Sequence, residues 1–139
     1  MAVAKWAAPS TRSSNFASTT LNSLPATGTN ESNVVTYDNS TNRNLYGAVT
    51  VKLGSFSSTA GGSISLRVTV YDGTDTADKA AGDVYTAQLL SGASAKIVII
   101  PMVRIYPFSL RFSVINNSGG TFASSSNEMY VTPYNEDVS

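Results

Sequence analysis

The stretch "SISLRVTVY" (63–71) alternates without a fault. Ile64, Leu66, Val68 and Val70 fall on one side, and Ser65, Arg67, Thr69 and Tyr71 on the other. A period of two puts successive side chains on opposite faces of a strand, so one face is apolar and needs a cover. "FSLRFSVIN" (108–116) repeats the pattern, setting Phe108, Leu110, Phe112 and Val114 against Ser109, Arg111, Ser113 and Ile115. No stretch carries a helical period, so the cover must come from other strands.

Those strands are legible between clusters of turn formers. "NVVTY" (33–37) is short and β-branched, and "LYGAVTVKL" (45–53) places Leu45, Val49, Val51 and Leu53 together. "VYTAQLL" (84–90), "AKIVII" (95–100), a short "TFAS" (121–124) and "NEMYVTPY" (127–134) follow. The continuous run in "AKIVII" predicts a strand covered on both sides. Pro101 and Pro107 predict an interruption, a corner around Met102 to Tyr106 between two core strands. Seven or eight short strands separated by turn signals predict an all-β, antiparallel sandwich; immunoglobulin-like, jelly-roll and closed-barrel variants all fit.

Residues 1–31 differ in kind. "PSTRSSNFASTTLNSLPATGTNE" is more than half Ser, Thr and Asn, residues that compete for backbone hydrogen bonds and disfavour helix. Trp6, Phe16, Leu21 and Leu24 are spaced through this zone. Two organisations fit: a flexible tail, or an extended arm that uses those four side chains as anchors on a neighbouring subunit. The domain reading is an arm over 1–31 and a sandwich over 32–139.

Composition narrows the chemistry. The 139 residues contain no Cys and no His, which removes disulfides, thiol nucleophiles, imidazole bases and the usual zinc or copper ligand sets. Nine basic residues balance nine acidic ones, and the charged fraction is 13%, against a usual ~25%. Neutrality argues against nucleic acid as a partner, because such binding rests on clustered Lys and Arg. Nothing approaches the ~20 apolar residues of a membrane helix, and Met1 to Pro9 lacks the apolar core of a signal peptide. No cofactor-binding loop, nucleophile elbow or Walker motif is present.

The candidate sites are few. The acidic run Asp72, Asp75 and Asp78 is a weak metal candidate; its spacing is not that of an EF-hand loop, and Asp and Gly also suit a plain turn. Asn30, Asn39 and Asn116 each begin an N-glycosylation triplet, a pattern that Ser/Thr/Asn-rich chains produce by chance. Arg67, Arg104 and Arg111 lie in or beside apolar strands, where Arg is either solvated and paired with a carboxylate or turned toward another subunit. With Tyr106 in the expected corner and the arm anchors Trp6, Phe16, Leu21 and Leu24, they form the set of partner-contact candidates.

The segments "AVAKWAAPSTRSSNFASTTLNSL", "DGTDTAD" and "PFSLRFSVINNSGGTFASSSNEMYVTPYNEDV" together resemble small virion proteins of tailed bacteriophages. The likeness is to capsid cement or decoration proteins with a jelly-roll-like sandwich. That resemblance implies a structural protein without enzymatic activity or cofactor. It would bind the major capsid protein on the outer surface of the virion, associate with itself as a trimer or dimer, and stiffen the shell. It carries no residue-level motif onto this chain. Two other classes remain open: a tail or fibre component that binds a glycan receptor, and a β-sandwich carbohydrate-active enzyme. The second would need paired carboxylates on a concave face, whereas most acids here fall in turns or near the C-terminus.

Overall fold

In the computed structural model, residues 3–138 are described except 18, 27–29, 73, 76 and 79–81. Among the described residues nine strands form: β1 Ala4–Trp6, β2 Val35–Asp38, β3 Tyr46–Leu53, β4 Ser63–Tyr71, β5 Asp83–Gln88, β6 Lys96–Arg104, β7 Ser109–Asn117, β8 Glu128–Tyr134 and β9 Glu136–Val138. No helix occurs among the described residues. Two antiparallel sheets, ordered β2-β7-β4-β5 and β6-β3-β8, pack face to face, and β1 and β9 make a separate ribbon.

The alternation of the sequence becomes the core. Ile64, Leu66 and Val68 of β4 and Leu110, Phe112 and Val114 of β7 turn inward to meet Val49, Val51 and Leu53 of β3 and Met129 and Val131 of β8. Leu45 and Phe108, expected on the same inner faces, lie just outside the strands and are largely exposed. The expected strand at "TFAS" is irregular chain. Its Phe122 is nonetheless buried, packed on Phe56 with ring centroids 5.1 Å apart.

β6 departs most from expectation. Lys96, Val98, Ile100 and Val103 are buried, but Ile97 and Ile99 are 66% and 59% exposed, so this strand is covered on one side only. Pro101 does not end it. Gly47 of β3 faces Val103 and Val49 faces Ile100, so Ala48 is opposed by both Pro101 and Met102: a bulge of two residues against one. Proline is tolerated there because β6 is an edge strand and the ladder is already broken. The corner lies later, at Ile105 to Phe108, where the chain crosses to the other sheet.

The N-terminal segment packs on its own chain. Ala7, Ser10, Ser13 and Phe16 donate backbone N–H bonds to the carbonyls of Asn135, Pro133, Val131 and Met129, three residues of the arm for every two of β8. That mismatch removes the regular return bonds, and side chains replace them. Val131 N–H donates to Ser13 Oγ at 2.9 Å and Met129 N–H to Asn15 Oδ1 at 3.1 Å. The Ser/Asn richness of the arm thereby satisfies the open edge of β8. Leu21 and Leu24, expected as anchors on a neighbouring subunit, are buried in this core beside Ala17, and Phe16 packs on Phe112 and Tyr37.

Buried polar groups tie the loops. Lys96 is 4% exposed, and its ammonium donates to the carbonyls of Phe56, Gly92 and Ser94 at 2.9, 3.0 and 2.7 Å while lying 4.4 Å from the Phe56 ring centroid. Asn39 and Asn116 are also buried. Asn39 Nδ2 donates to the Asn44 and Tyr106 carbonyls, and Asn116 Nδ2 to those of Leu24 and Gly120. Two of the three glycosylation triplets therefore begin with internal staples rather than surface acceptors. Gly120 is obligatory beside one of them, since a Cβ would overlap the Ser57 carbonyl.

Two stability changes are expected in urea unfolding of the isolated chain. Leu21→Ala should cost about 2–5 kcal/mol, the range for a fully buried leucine; an arm that lay on a neighbour would leave the isolated chain unchanged. Lys96→Met should cost a further ~2–4 kcal/mol, because it leaves three carbonyls without their charged donor.

Candidate functional site: the outer face of the three-stranded sheet

The two outer faces of the sandwich differ in kind. On the four-stranded sheet, Arg67 Nε donates to Glu31 Oε1 at 2.8 Å, and Ser113 Oγ donates to the same oxygen at 2.6 Å. Ser65 and Thr86 hydroxyls pair at 2.8 Å across β4 and β5. The Arg111 guanidinium lies 4.8 Å from the Tyr71 ring centroid, and its buried Nε has no hydrogen-bond partner among the described residues. Arg67 and Arg111, candidates for a neighbouring subunit, are thus engaged within this chain. This face is polar, and it is partly roofed by its own segments: Ser65, Thr69 and Ser113 all point outward yet are buried.

The outer face of β6-β3-β8 is built in rows. Arg104, Tyr46 and Tyr134 form one; Pro101 with Met102, Ala48 and Thr132 the next; then Ile99, Thr50 and Tyr130; then Ile97, Lys52 and Glu128. Lys52 and Glu128 approach only to 3.9 Å and are well exposed, a weak pair. Ile97, Ile99 and Met102 are uncovered, and Trp6 reaches over from the β1–β9 ribbon with 56% of its surface exposed. Its indole stands edge-on to Tyr46 and Tyr134, with centroids 5.8 and 5.5 Å apart. The two tyrosines stack on each other at 5.6 Å.

Beside this aromatic cluster lies an open depression of about 400 Å³ lined by Trp6, Ala7, Pro9, Ala48, Pro101, Met102, Thr132 and Tyr134. Tyr134 Oη crosses above the small Ala48 to donate to the Pro101 carbonyl at 2.7 Å. Partial burial, with Tyr46 as a lesser cause, pushes the Tyr134 phenol above its ordinary value, so it stays a neutral donor at physiological pH. Arg12 of the arm lies 3.7 Å from the Tyr130 ring centroid, continuing the aromatic stripe along β8. The face has the composition of a contact surface, with Trp, Tyr and Arg around exposed aliphatic side chains.

Of the sequence candidates, Trp6 and Arg104 meet on this face through Tyr46. Tyr106 stands at its margin, 5.9 Å from the Arg104 guanidinium, half-buried against the core, with its hydroxyl donating to Asp83 Oδ2 at 3.2 Å. Phe16, Leu21 and Leu24 belong to the interior, and Arg67 and Arg111 to the opposite face. Ile97, Ile99, Met102, Tyr46 and Tyr134 escaped the sequence reading. The missing signal was that an unbroken apolar run also describes a strand with one bare apolar face.

The acidic run is used locally. Asp72 accepts the backbone N–H groups of Thr74 and Asp75, both at 2.9 Å, and Asp75 and Asp78 are exposed. No group of three or more acidic, His or Cys side chains able to hold a metal occurs among the described residues. The comparisons with known proteins are silent: no family model, curated protein or solved structure matches this chain.

The two turn bonds, that from Asp75 first, hold the Asp72 carboxyl below its ordinary value. Asp72 should therefore titrate below an aspartate in an unfolded peptide, as followed by carboxyl-carbon NMR. A lowered folded value means that the turn's contribution is complete above the unfolded value and is lost as pH falls through the folded one.

Proposed function

We propose that this chain is a structural virion protein of a tailed bacteriophage, a capsid cement protein that stabilises the shell from its outer surface. One observation carries the reading. A sandwich with a filled interior and a polar face engaged largely with its own chain leaves one apolar, aromatic-rich sheet face uncovered, with the Trp6–Met102 depression at its centre. Exposed apolar area of that kind marks an interaction surface. A cement protein needs contact area rather than reactive groups.

The topology supports it further. The arm occupies the fourth position beside β8, so the two layers read arm-β8-β3-β6 and β2-β7-β4-β5. We infer a jelly roll in which an irregular arm replaces the first strand. Jelly rolls serve capsids, and also lectins and other proteins, so this support is by analogy of fold. The sequence resemblance to phage decoration proteins points the same way. On this reading the major capsid protein fills the Trp6–Met102 depression, and the ordered arm presents Trp6 to it.

Particles lacking the protein should release DNA at a lower temperature than complete ones, and adding the purified chain back should restore the difference. Trp6→Ala should keep the fold by circular dichroism and weaken particle co-sedimentation at least ~10-fold, as removal of an aromatic hot spot does. Equal heat stability with and without the protein, or sedimentation with tails rather than capsids, would overturn the cement assignment.

A further inference from the structure

We infer that β6 is a self-pairing edge, through which two copies of this chain join their three-stranded sheets across a two-fold axis beside Val98. The occupant is a second copy of the chain, and the inference does not rest on the virion reading.

The first ground is the state of the edge. β6 pairs with β3 on one side and, among the described residues, with no strand on the other, whereas β8, the opposite edge, is occupied by the arm. Monomeric proteins protect such edges with outward charges, prolines, bulges or a covering segment. Here the protection is confined to one end. Pro101 and the bulge interrupt the strand there, and the Tyr85 hydroxyl accepts the Arg104 N–H at 3.1 Å. Among the described residues Lys96 to Ile100 have no proline, bulge or paired strand on this side; Gln88 to Leu90 flank only Lys96 to Val98, across a shallow depression. The charge in that segment is turned inward, since Lys96 is buried on three carbonyls and so does not guard the edge.

The second ground is self-complementarity. A two-fold axis needs a patch that matches itself. Antiparallel pairing of the unprotected segment with its own copy sets Val98 opposite Val98 of the partner subunit. Ile97 then faces Ile99 of the partner subunit, and Ile99 faces Ile97 of the partner subunit. The pleat is respected, because both isoleucines point outward and Val98 inward. The four most exposed aliphatic side chains of the two sheets become cross-strand neighbours in one six-stranded sheet. Among the described residues no like charges are opposed near the axis: Lys52 and Glu128 of the Ile97 row are paired with each other one and two strands away, and Arg12 lies over Tyr130 at the far edge of the Ile99 row. The chain's zero net charge adds no long-range repulsion. The Trp6–Met102 depression lies at the bulge, away from Val98, and stays free for a different partner.

The test is the mass in solution, by light scattering coupled to size exclusion. The full chain should show twice its 14.6 kDa mass. Ile97→Lys and Ile99→Lys, both at exposed positions, should return it to a single chain with an unchanged circular dichroism spectrum. Register is tested by cysteines, since the chain has none of its own. An Ile97→Cys sample mixed with an Ile99→Cys sample should cross-link under mild oxidation, and neither should do so alone to that extent. A single-chain mass at several hundred micromolar, a dimer that survives both lysine variants, or self-cross-linking of one variant alone would overturn the inference. A monomer that still sediments with capsids refutes the dimer and leaves the virion reading standing. A dimer that ignores capsids does the reverse.

Discussion

The constraint behind this architecture is the satisfaction of backbone polar groups at the ends of the sandwich. Apart from the β4–β5 hairpin, every connection from β2 to β8 crosses between the sheets. Each crossing takes carbonyls and N–H groups out of the ladders and into places that water reaches poorly. The solution is a set of buried polar side chains with several bonds apiece. Lys96 gathers three carbonyls; Asn116 joins the arm at Leu24 to the turn at Gly120; Asn127 accepts the Gly54 N–H and donates to Asn22 and the Ala123 carbonyl. The apolar core can form only because these groups close its two ends.

That arrangement also explains the low charge of the sequence. The work of surface ion pairs is done by Ser, Thr and Asn, whose short side chains reach nearby backbone at little entropic cost. Where a charge is kept, it has a definite position. Arg67 sits against Glu31 over β4 and β7, Arg12 lies on Tyr130, and Arg104 closes the end of the open face. The faces consequently divide the labour. The outer face of the four-stranded sheet is engaged with its own chain, and that of the three-stranded sheet is left uncovered.

How far the sequence disclosed this depends on the kind of information each part needs. Alternation located β4 exactly where "SISLRVTVY" places it and β7 within one residue, because a half-buried strand writes its two faces directly into the chain. The arm was harder. Its Ser and Asn residues announced an extended segment, but whether Leu21 entered this core or another subunit's depends on contacts across more than a hundred residues, such as those from Phe16 to Met129 and Val131 N–H to Ser13. The open face was hidden for a different reason. In "AKIVII" both faces are apolar, so periodicity carries no record of which one is covered, and Pro101 looked like a terminator because its edge position could not be foreseen. Trp6 and Arg104 were singled out from residue type, and the β1–β9 ribbon and the β3–β6 register are what bring them together.

The bulge at Pro101 and Met102 has an implication for how this strand tolerates insertion and deletion. The extra residue changes phase: upstream of it odd-numbered positions face outward, and downstream Val103 and Ile105 are interior while Arg104 is exposed. Removing one residue there would behave like a frameshift confined to a few positions, sending a guanidinium into the core and two aliphatic side chains to water. The same length change beside the exposed Asp75 or Asp78, outside any strand, would cross no such boundary. A strand this short thus holds a local grammar in which the count of residues matters as much as their identity.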